Sequence, residues 1–366
     1  PPFIGAKYMR EQLGDGYAEA VWAARPEMPK AADFVMHVWD AAATRLRAKG
    51  SRVRRFGFIT TNSVTQTFSR RVIERHLNAR APLSLVFAVP DHPWLKQRDK
   101  AAVRIAMTVA EKGEREGVLG RVTREADLNT DTPRVELARE HGKVLANLSV
   151  GADTSKARPL FANGQLCHMG VKLHGSGFIL HPHNHLYSYT DEAIRHFVNG
   201  RDIMQRPRAV KVIDTYNYTQ EQIQTEKPNI YQHLLKYVKP ERDQNKRKVY
   251  RDRWWIWGEP RSELREAISD IDRVIATTRT ARHRIFQMHA NHVTFESKIV
   301  IIATDEWNIF SCLSSRIHVY FANCMGGWVG VGNDPTYNHS ECFNPFPFPA
   351  FAALSPALAR HLRHYG

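Results

Sequence analysis

Apolar residues recur at helical spacing across residues 31–49, where Phe34, Val35, Val38, Trp39, Ala42 and Leu46 share one face and Gly50 follows as a stop. The pattern then changes to short apolar runs closed by polar residues at 55–60, 83–89 and 103–109, which predict strands. A further helix is expected at 66–78. Helix, strand, helix, strand, strand is the order of an α/β layer, here a mainly parallel twisted sheet with an edge hairpin. Ligands of such sheets gather beyond the carboxyl ends of the strands. Those ends fall at Thr60, Thr61, Asn62 and Ser63, equally compatible with a plain polar turn, and at Asp91, His92, Pro93 and Trp94, where Asp-x-Pro makes an ordinary turn the preferred reading.

Between 111 and 132 charge rises and apolar periodicity fades, which marks a candidate transition between domains. Beyond it, Val171, Leu173, Phe178 and Leu180 suggest strands interrupted by a Gly turn. Strands are predicted at 274–278 and 299–303 and an amphipathic helix around 310–322. A Gly-rich loop with Gly326, Gly327, Gly330 and Gly332 runs into the turn Asn333-Asp334-Pro335. The aromatic and proline run 343–349 predicts an extended strap, and 354–364 a helix. The expected division is 1–130, 131–350 and a short segment 351–366.

Composition sharpens this picture. With 366 residues, 43% of them hydrophobic, two domains are the default. The formal charge of +15 implies an anionic partner, most often nucleic acid. Cys167, Cys312, Cys324 and Cys342 form no CxxC pair, which fits a reducing, cytoplasmic compartment and argues against a disulfide scaffold. No apolar run approaches the roughly 18–20 residues needed to span a bilayer, and no signal pattern opens the chain. The chain starts at Pro1-Pro2-Phe3-Ile4-Gly5, which looks like the turn after a strand and suggests a truncated sequence.

Positive charge concentrates between residues 236 and 253, where eight basic side chains (Lys236, Lys239, Arg242, Lys246, Arg247, Lys248, Arg251, Arg253) face three acidic ones. Such a cluster suits a phosphate backbone, which it positions without reading sequence. The alternative is a long solvated helix. Trp254, Trp255 and Trp257 follow at once and are expected to be mostly buried. Arg279, Arg282 and Arg284 lie just past a predicted strand, placed either to pair with guanine edges or to clamp phosphate. Arg316 is equally compatible with an internal ion pair. His181, His183 and His185 alternate as zinc ligands could, but no Cys or acidic partner lies at ligand spacing, so a solvated loop is the preferred reading.

Several blocks, in order and spacing, resemble the type IIL restriction-modification DNA adenine methyltransferases. They are PPFIGAKYMREQLGDGY, AADFVMHVWDAA, RFGFITTNSVTQTFSRRVI, YQHLLKYVKPERDQNKRKVYRDRWWIWGEPRSELR and GGWVGVGNDPTYNHSECFNPFPFPA. The resemblance implies the C-terminal half of a doubly wound methyltransferase sheet in 1–130, an α+β target-recognition domain in 131–350, and the start of a helical segment in 351–366. It implies that Pro1, Pro2 and Phe3 end an Asn-Pro-Pro-Phe catalytic motif whose Asn would precede Pro1. There the amide and a proline carbonyl accept from the adenine amine while the aromatic stacks on the flipped base.

S-adenosylmethionine is the implied methyl donor. Its Gly-rich loop and the catalytic Asn are expected outside this sequence, so the chain is expected not to methylate DNA by itself. Mg2+ is implied only if the parent also carries a nuclease. Double-stranded DNA is the implied partner and the bacterial cytoplasm the implied location. The implied contacts are Lys246, Arg247, Lys248, Arg251, Arg253, Arg279, Arg282, Arg284 and Arg316, with Gly332, Asn333 and Asp334 selecting a base pair; an Asx-turn is equally compatible there. Gly332 replaces a longer polar side chain of relatives. A non-enzymatic DNA-reading module is the competing reading. An RNA-binding protein ranks behind both, since no single-strand stacking platform is evident.

Overall fold

Trp39 organises the first part of the chain. It is fully buried on the helix α3 (Phe34–Arg47), together with Val35, Met36, Ala43 and Leu46, as the 3.6-residue spacing predicts. Two short helices, α1 (Met9–Leu13) and α2 (Asp15–Ala24), precede it. The computed structural model describes residues 3–94, 103–128, 130, 132–154, 157–329, 334–351, 356–358 and 360.

Then follow β1 (Arg55–Thr61), α4 (Thr67–Leu77), β2 (Leu83–Pro93), β3 (Arg104–Lys112), β4 (Gly117–Ala126) and β5 (Arg134–Gly142). They form one sheet in the order β1-β3-β2-β4-β5. β3 pairs antiparallel with both β1 and β2, β4 is parallel to β2, and β5 is antiparallel to β4. The expected mainly parallel sheet with an edge hairpin is therefore corrected: the return strand β3 inserts between β1 and β2. Its small buried residues Ala106, Thr108 and Ala110 explain the position, since they need cover on the face where the Trp39 indole donates to Thr108 Oγ1 at 3.4 Å.

The region 111–132 also departs from expectation, since it holds β4 rather than a linker. The outer half of the β4–β5 ribbon exposes Arg121, Thr123, Arg124 and Glu125, which erases the apolar period. Gly117 starts β4 so close to β2 that a Cβ would lie 2.2 Å from the Leu85 carbonyl oxygen.

An ionic knot ties α3 to α4. Asp40, 1% exposed, accepts from Arg25, from Arg75 and from His76 Nε2 at 2.7 Å. Arg47 Nη1 lies 3.0 Å from His76 Nδ1. A guanidinium only donates, so Nδ1 is the bare nitrogen and Nε2 carries the proton given to Asp40.

By contacts the chain divides into two compact units, Pro1–Lys156 with Cys324–Thr336 and Ala157–Asn323 with Tyr337–Gly366. The division falls after Lys156 rather than near 130, because β5 hydrogen-bonds along β4.

The second unit contains β6 (Cys167–Met169), β7 (Ile179–Leu180), β8 (Ile194–Val198), α5 (Gly200–Met204), β9 (Lys211–Ile213), α6 (Gln220–Glu226), α7 (Pro228–Tyr237), α8 (Lys239–Asp243), α9 (Lys248–Asp252) and α10 (Ser262–Ala267). It continues with β10 (Arg273–Thr278), β11 (Gln287–Ala290), β12 (Thr294–Phe295), β13 (Ile299–Ile302), α11 (Trp307–Ser314) and α12 (Arg316–Met325), whose end enters the first unit. Its sheets are ordered β11-β10-β13-β6 and β12-β8-β9-β7, an α+β arrangement. The single helix expected near 310–322 is two, because Ser315 is extended with ψ 150°.

The strap at 343–349 closes one core. The Asn163 carboxamide donates to the carbonyls of Phe343, Asn344 and Phe346 at 3.3, 3.1 and 2.9 Å. Phe346 and Phe348 enclose the buried His318, whose Nε2 lies 2.9 Å from the Tyr337 hydroxyl. Desolvation drives the His318 imidazole down to about 3, helped by the charge of Arg284, and burial raises Tyr337 well above its ordinary value. Both groups are therefore neutral at physiological pH. Of the helix expected at 354–364, Pro356, Ala357, Leu358 and Arg360 are helical, and the other positions lie outside the described residues.

The segment 324–336 carries the short hairpin β14 (Trp328–Val329) and β15 (Asp334–Pro335). No helix among the described residues is long and apolar enough to cross a membrane.

Candidate functional site

The carboxyl edge of the first sheet is assembled from three chain segments. Beyond β1, Ser63 donates to Asp33 Oδ2 at 2.5 Å and lies 2.6 Å from the Thr61 hydroxyl. Asp33 Oδ1 accepts from the Ala6 amide at 3.0 Å, and the Phe34 amide donates to the Ile4 carbonyl at 2.9 Å. The stretch that follows Phe3 is thereby fastened to the end of β1. Phe3 itself is half exposed, whereas Pro1 and Pro2 lie outside the described residues.

On the other side Asn62 makes a two-bond clasp with Asp91, accepting from its amide at 3.0 Å and donating to its carboxylate at 3.4 Å. Asp91 has φ 53° and sits at an irregularity in β2 between Val89 and His92. β2 thus continues through the Asp91–Pro93 stretch, where an ordinary turn was the expectation. Arg104 braces the strained residue, donating to its carboxylate at 2.9 Å and pairing with Glu125 at 2.7 Å. Strain of this kind costs on the order of 1–3 kcal/mol and is held by the surrounding bonds.

The basic segment is sorted by direction. Lys246, Arg247, Lys248 and Arg253 are exposed around α9, with Arg247 donating to the Tyr250 hydroxyl at 3.2 Å. Arg251 is half-buried and donates to the Asn245 carbonyl at 2.6 Å. Lys239 pairs with Asp243. Arg242 departs from the expected positive face altogether. Only 1% exposed, its guanidinium lies 5.6 Å from the Phe178 ring and 5.2 Å from the Tyr250 ring and donates to the carbonyls of Leu173 and Ile256. Burial lowers its pKa, and its Nε and Nη1 find no hydrogen-bond partner among the described residues.

Arg242 is therefore a strut. Replacing it by Ala is expected to destabilise the second unit by about 3–5 kcal/mol through the cavity and the freed carbonyls. Arg242→Met fills the volume without a buried cation and should cost clearly less. Urea unfolding of both variants checks this ranking; equal losses would contradict it.

Trp254 and Trp257 are buried and Trp255 half-buried. Their indoles donate to Gln220, Ile213 and Tyr218, respectively, which gives all three structural roles. Arg279 and Arg282 are exposed. Arg284 instead turns inward, donating to the Thr277 hydroxyl and the Thr278 carbonyl 5.1 Å from the Tyr337 ring, and desolvation lowers its pKa. Arg316 is exposed at the start of α12, beside the strongly exposed Ile317. His181 and His183 stack 5.8 Å apart on an exposed turn. Among the described residues no three His, Cys, Asp or Glu side chains are placed to hold a metal.

The Gly-rich hairpin is held at its base, where Gly327 and Thr336 exchange bonds of 2.7 to 3.1 Å. Asp334 pairs with Val329 and is half-buried, while Gly332 and Asn333 lie outside the described residues. This hairpin belongs to the first unit, contrary to its expected place in the second. The reason is Arg70 of α4, 6% exposed, which donates to the carbonyls of Cys324 and Met325 at 3.1 and 3.2 Å and so caps the end of α12. Gln66 adds a bond to Trp328. Sequence reasoning missed Arg70, Asp33 and the Asn62–Asp91 clasp, since each acts across a long stretch of chain.

The fold as a whole has a counterpart among solved structures. The chain shares its fold with part of the type IIL restriction-modification enzyme MmeI. Superposed on MmeI, an enzyme of that type solved in complex with DNA, it aligns over 100% of its length with a TM-score of 0.73 at 15% identity. It spans 47% of that enzyme's chain. The type IIG restriction endonuclease BpuSI aligns with 87% of this chain and 42% of its own at 10% identity and a TM-score of 0.34. No protein-family model and no curated protein matches the chain. In terms of the type IIL fold, the α/β class expected from the sequence, with an α+β second part, is the class observed.

Proposed function

We propose that the protein carrying this chain is a site-specific DNA adenine methyltransferase of the restriction-modification type. The supporting observation is the fastening of the segment after Pro1-Pro2-Phe3 to the carboxyl edge of β1, where ligands of open α/β sheets bind. MmeI, with the same fold, was solved bound to DNA, which supports duplex DNA as the partner.

On this reading S-adenosylmethionine supplies the methyl group. The residues of this chain fit the acceptor side of the reaction. Phe3 offers a half-exposed aromatic face to a base turned out of the duplex, and Thr61, Asn62 and Ser63 form a braced polar edge tied through Asp33 to the segment that follows it. Lys246, Arg247, Lys248 and Arg253, with Arg279, Arg282 and Arg316, supply exposed cations for phosphate or base edges. Asp334, with Asn333 and Gly332 before it in the chain, is proposed to help choose the base pair; Asp334 itself lies in a hairpin whose base Arg70 anchors.

Sequencing that maps N6-methyladenine in cells expressing the full-length protein tests the activity and reveals the site. Methylation at one short asymmetric motif is expected. Sequence-specific duplex binding without modified adenine would favour the non-enzymatic reading module instead.

A separate titration tests the interface. Changing Lys246, Arg247, Lys248 and Arg253 to Ala should weaken duplex binding across all sequences alike. The slope of log affinity against log salt should fall by roughly 0.9 for each phosphate contact removed. An unchanged slope would remove this face from the DNA.

A further inference from the structure

Asp33 occupies the N-cap of the 14-residue helix α3, yet its side chain makes no cap bond. An Asp at that position ordinarily accepts from an amide of the first helical turn, a contribution of about 1 kcal/mol. Here both carboxylate oxygens point elsewhere, to the Ala6 amide and the Ser63 hydroxyl, 27 and 30 residues away in the chain. A local stabilisation is given up for two long-range bonds, the pattern expected where function overrides local preference. With the Thr61–Ser63 contact, a continuous relay joins the end of β1 to the segment just after Phe3. The Ile4 carbonyl, bound by the Phe34 amide, fixes the same segment at a second point.

We propose that Asp33 is a positioning residue for methyl transfer: it locks the segment just after Phe3 against the carboxyl edge of β1 so that Phe3 meets the flipped base in register. This rests on the methyltransferase reading. Asp33 touches no reacting atom and acts only through Ala6 and Ser63. Misplacing an aligned group by about 1 Å can cost 100-fold in rate without disturbing remote binding contacts.

The test uses the full-length protein as wild type, Asp33→Ala, Ser63→Ala and the double variant, on duplex carrying the mapped site. Single-turnover methyl transfer, the DNA dissociation constant and the melting temperature are measured. Fluorescence of 2-aminopurine placed at the target position reports how the flipped base is seated. Asp33→Ala is expected to slow transfer roughly 10- to 100-fold while DNA affinity stays within about two-fold, a loss confined to the reacting geometry. The 2-aminopurine signal should change with it. Ser63→Ala should act in the same direction, and the double variant should be no slower than Asp33→Ala, as members of one relay behave.

Transfer at the wild-type rate in Asp33→Ala overturns the proposal, as does a loss that follows DNA affinity or melting temperature. Should Asp33→Ala fail to fold, Ser63→Ala alone decides by the same criteria. If the wild type transfers no methyl group, the methyltransferase reading fails and this inference with it. If the wild type is active and Asp33→Ala equals it, only the inference fails.

Discussion

Acidification below pH 6.5 is expected to weaken the second unit, with His318 alone contributing about 1.4 kcal/mol per pH unit. His318 is fully buried and its folded value lies near 3, against 6.5 when unfolded. Between those values the unfolded chain binds a proton that the folded one refuses, so stability falls as pH falls. The full effect, reached near pH 3, is on the order of 5 kcal/mol. Desolvation shifts His233, His289 and His339 in the same direction, which steepens the slope. Urea unfolding at a series of pH values measures it. His318→Gln keeps a hydrogen-bonding partner for Tyr337 but cannot titrate, so its slope should be shallower; a slope matching the wild type would locate the acid sensitivity elsewhere.

Asp40→Asn is expected to destabilise the first unit by about 3 kcal/mol, near the lower end for a broken buried ion pair. The arginines it leaves, Arg25 and Arg75, have side chains 31% and 32% exposed and recover part of their hydration. For a unit of this size the shift in Tm is roughly 6–12 °C. The pH window differs from that of His318. Burial alone would push the Asp40 carboxyl up, but the His76 hydrogen bond and the charges of Arg75 and Arg25 hold it below the ordinary range. Its contribution is thus complete above about pH 4 and is lost as pH falls further, through the depressed folded value. The gap between wild type and Asp40→Asn should stay constant from pH 7 to about 4 and close only below that. A gap that narrows already at pH 6 would contradict the assignment.

Those two sites illustrate what periodicity and composition convey. The face of α3 was legible because a buried stripe repeats every 3.6 residues, and Trp39 could hardly lie elsewhere. Burial of Trp254 and Trp257 followed from their size. Strand order was not legible, since nothing local to β3 distinguishes an edge strand from one inserted between β1 and β2. Arg242 illustrates a second limit, because counting charges in a segment ignores which way each side chain points. Asp33 illustrates a third. Its position before an apolar helix matches an ordinary cap, and only the coordinates show its oxygens bound to Ala6 and Ser63 instead.

The return of residues 324–336 to the first unit also bears on how the second unit could be exchanged between related chains. The backbone passes between the units at 156, at 323 and at 336. A recombination event with one breakpoint after Lys156 would import a foreign hairpin along with the foreign second unit, and that hairpin would have to find the local Arg70 and Gln66. Grafts that respect all three passages, or that keep both anchoring side chains, are the ones this topology allows to fold.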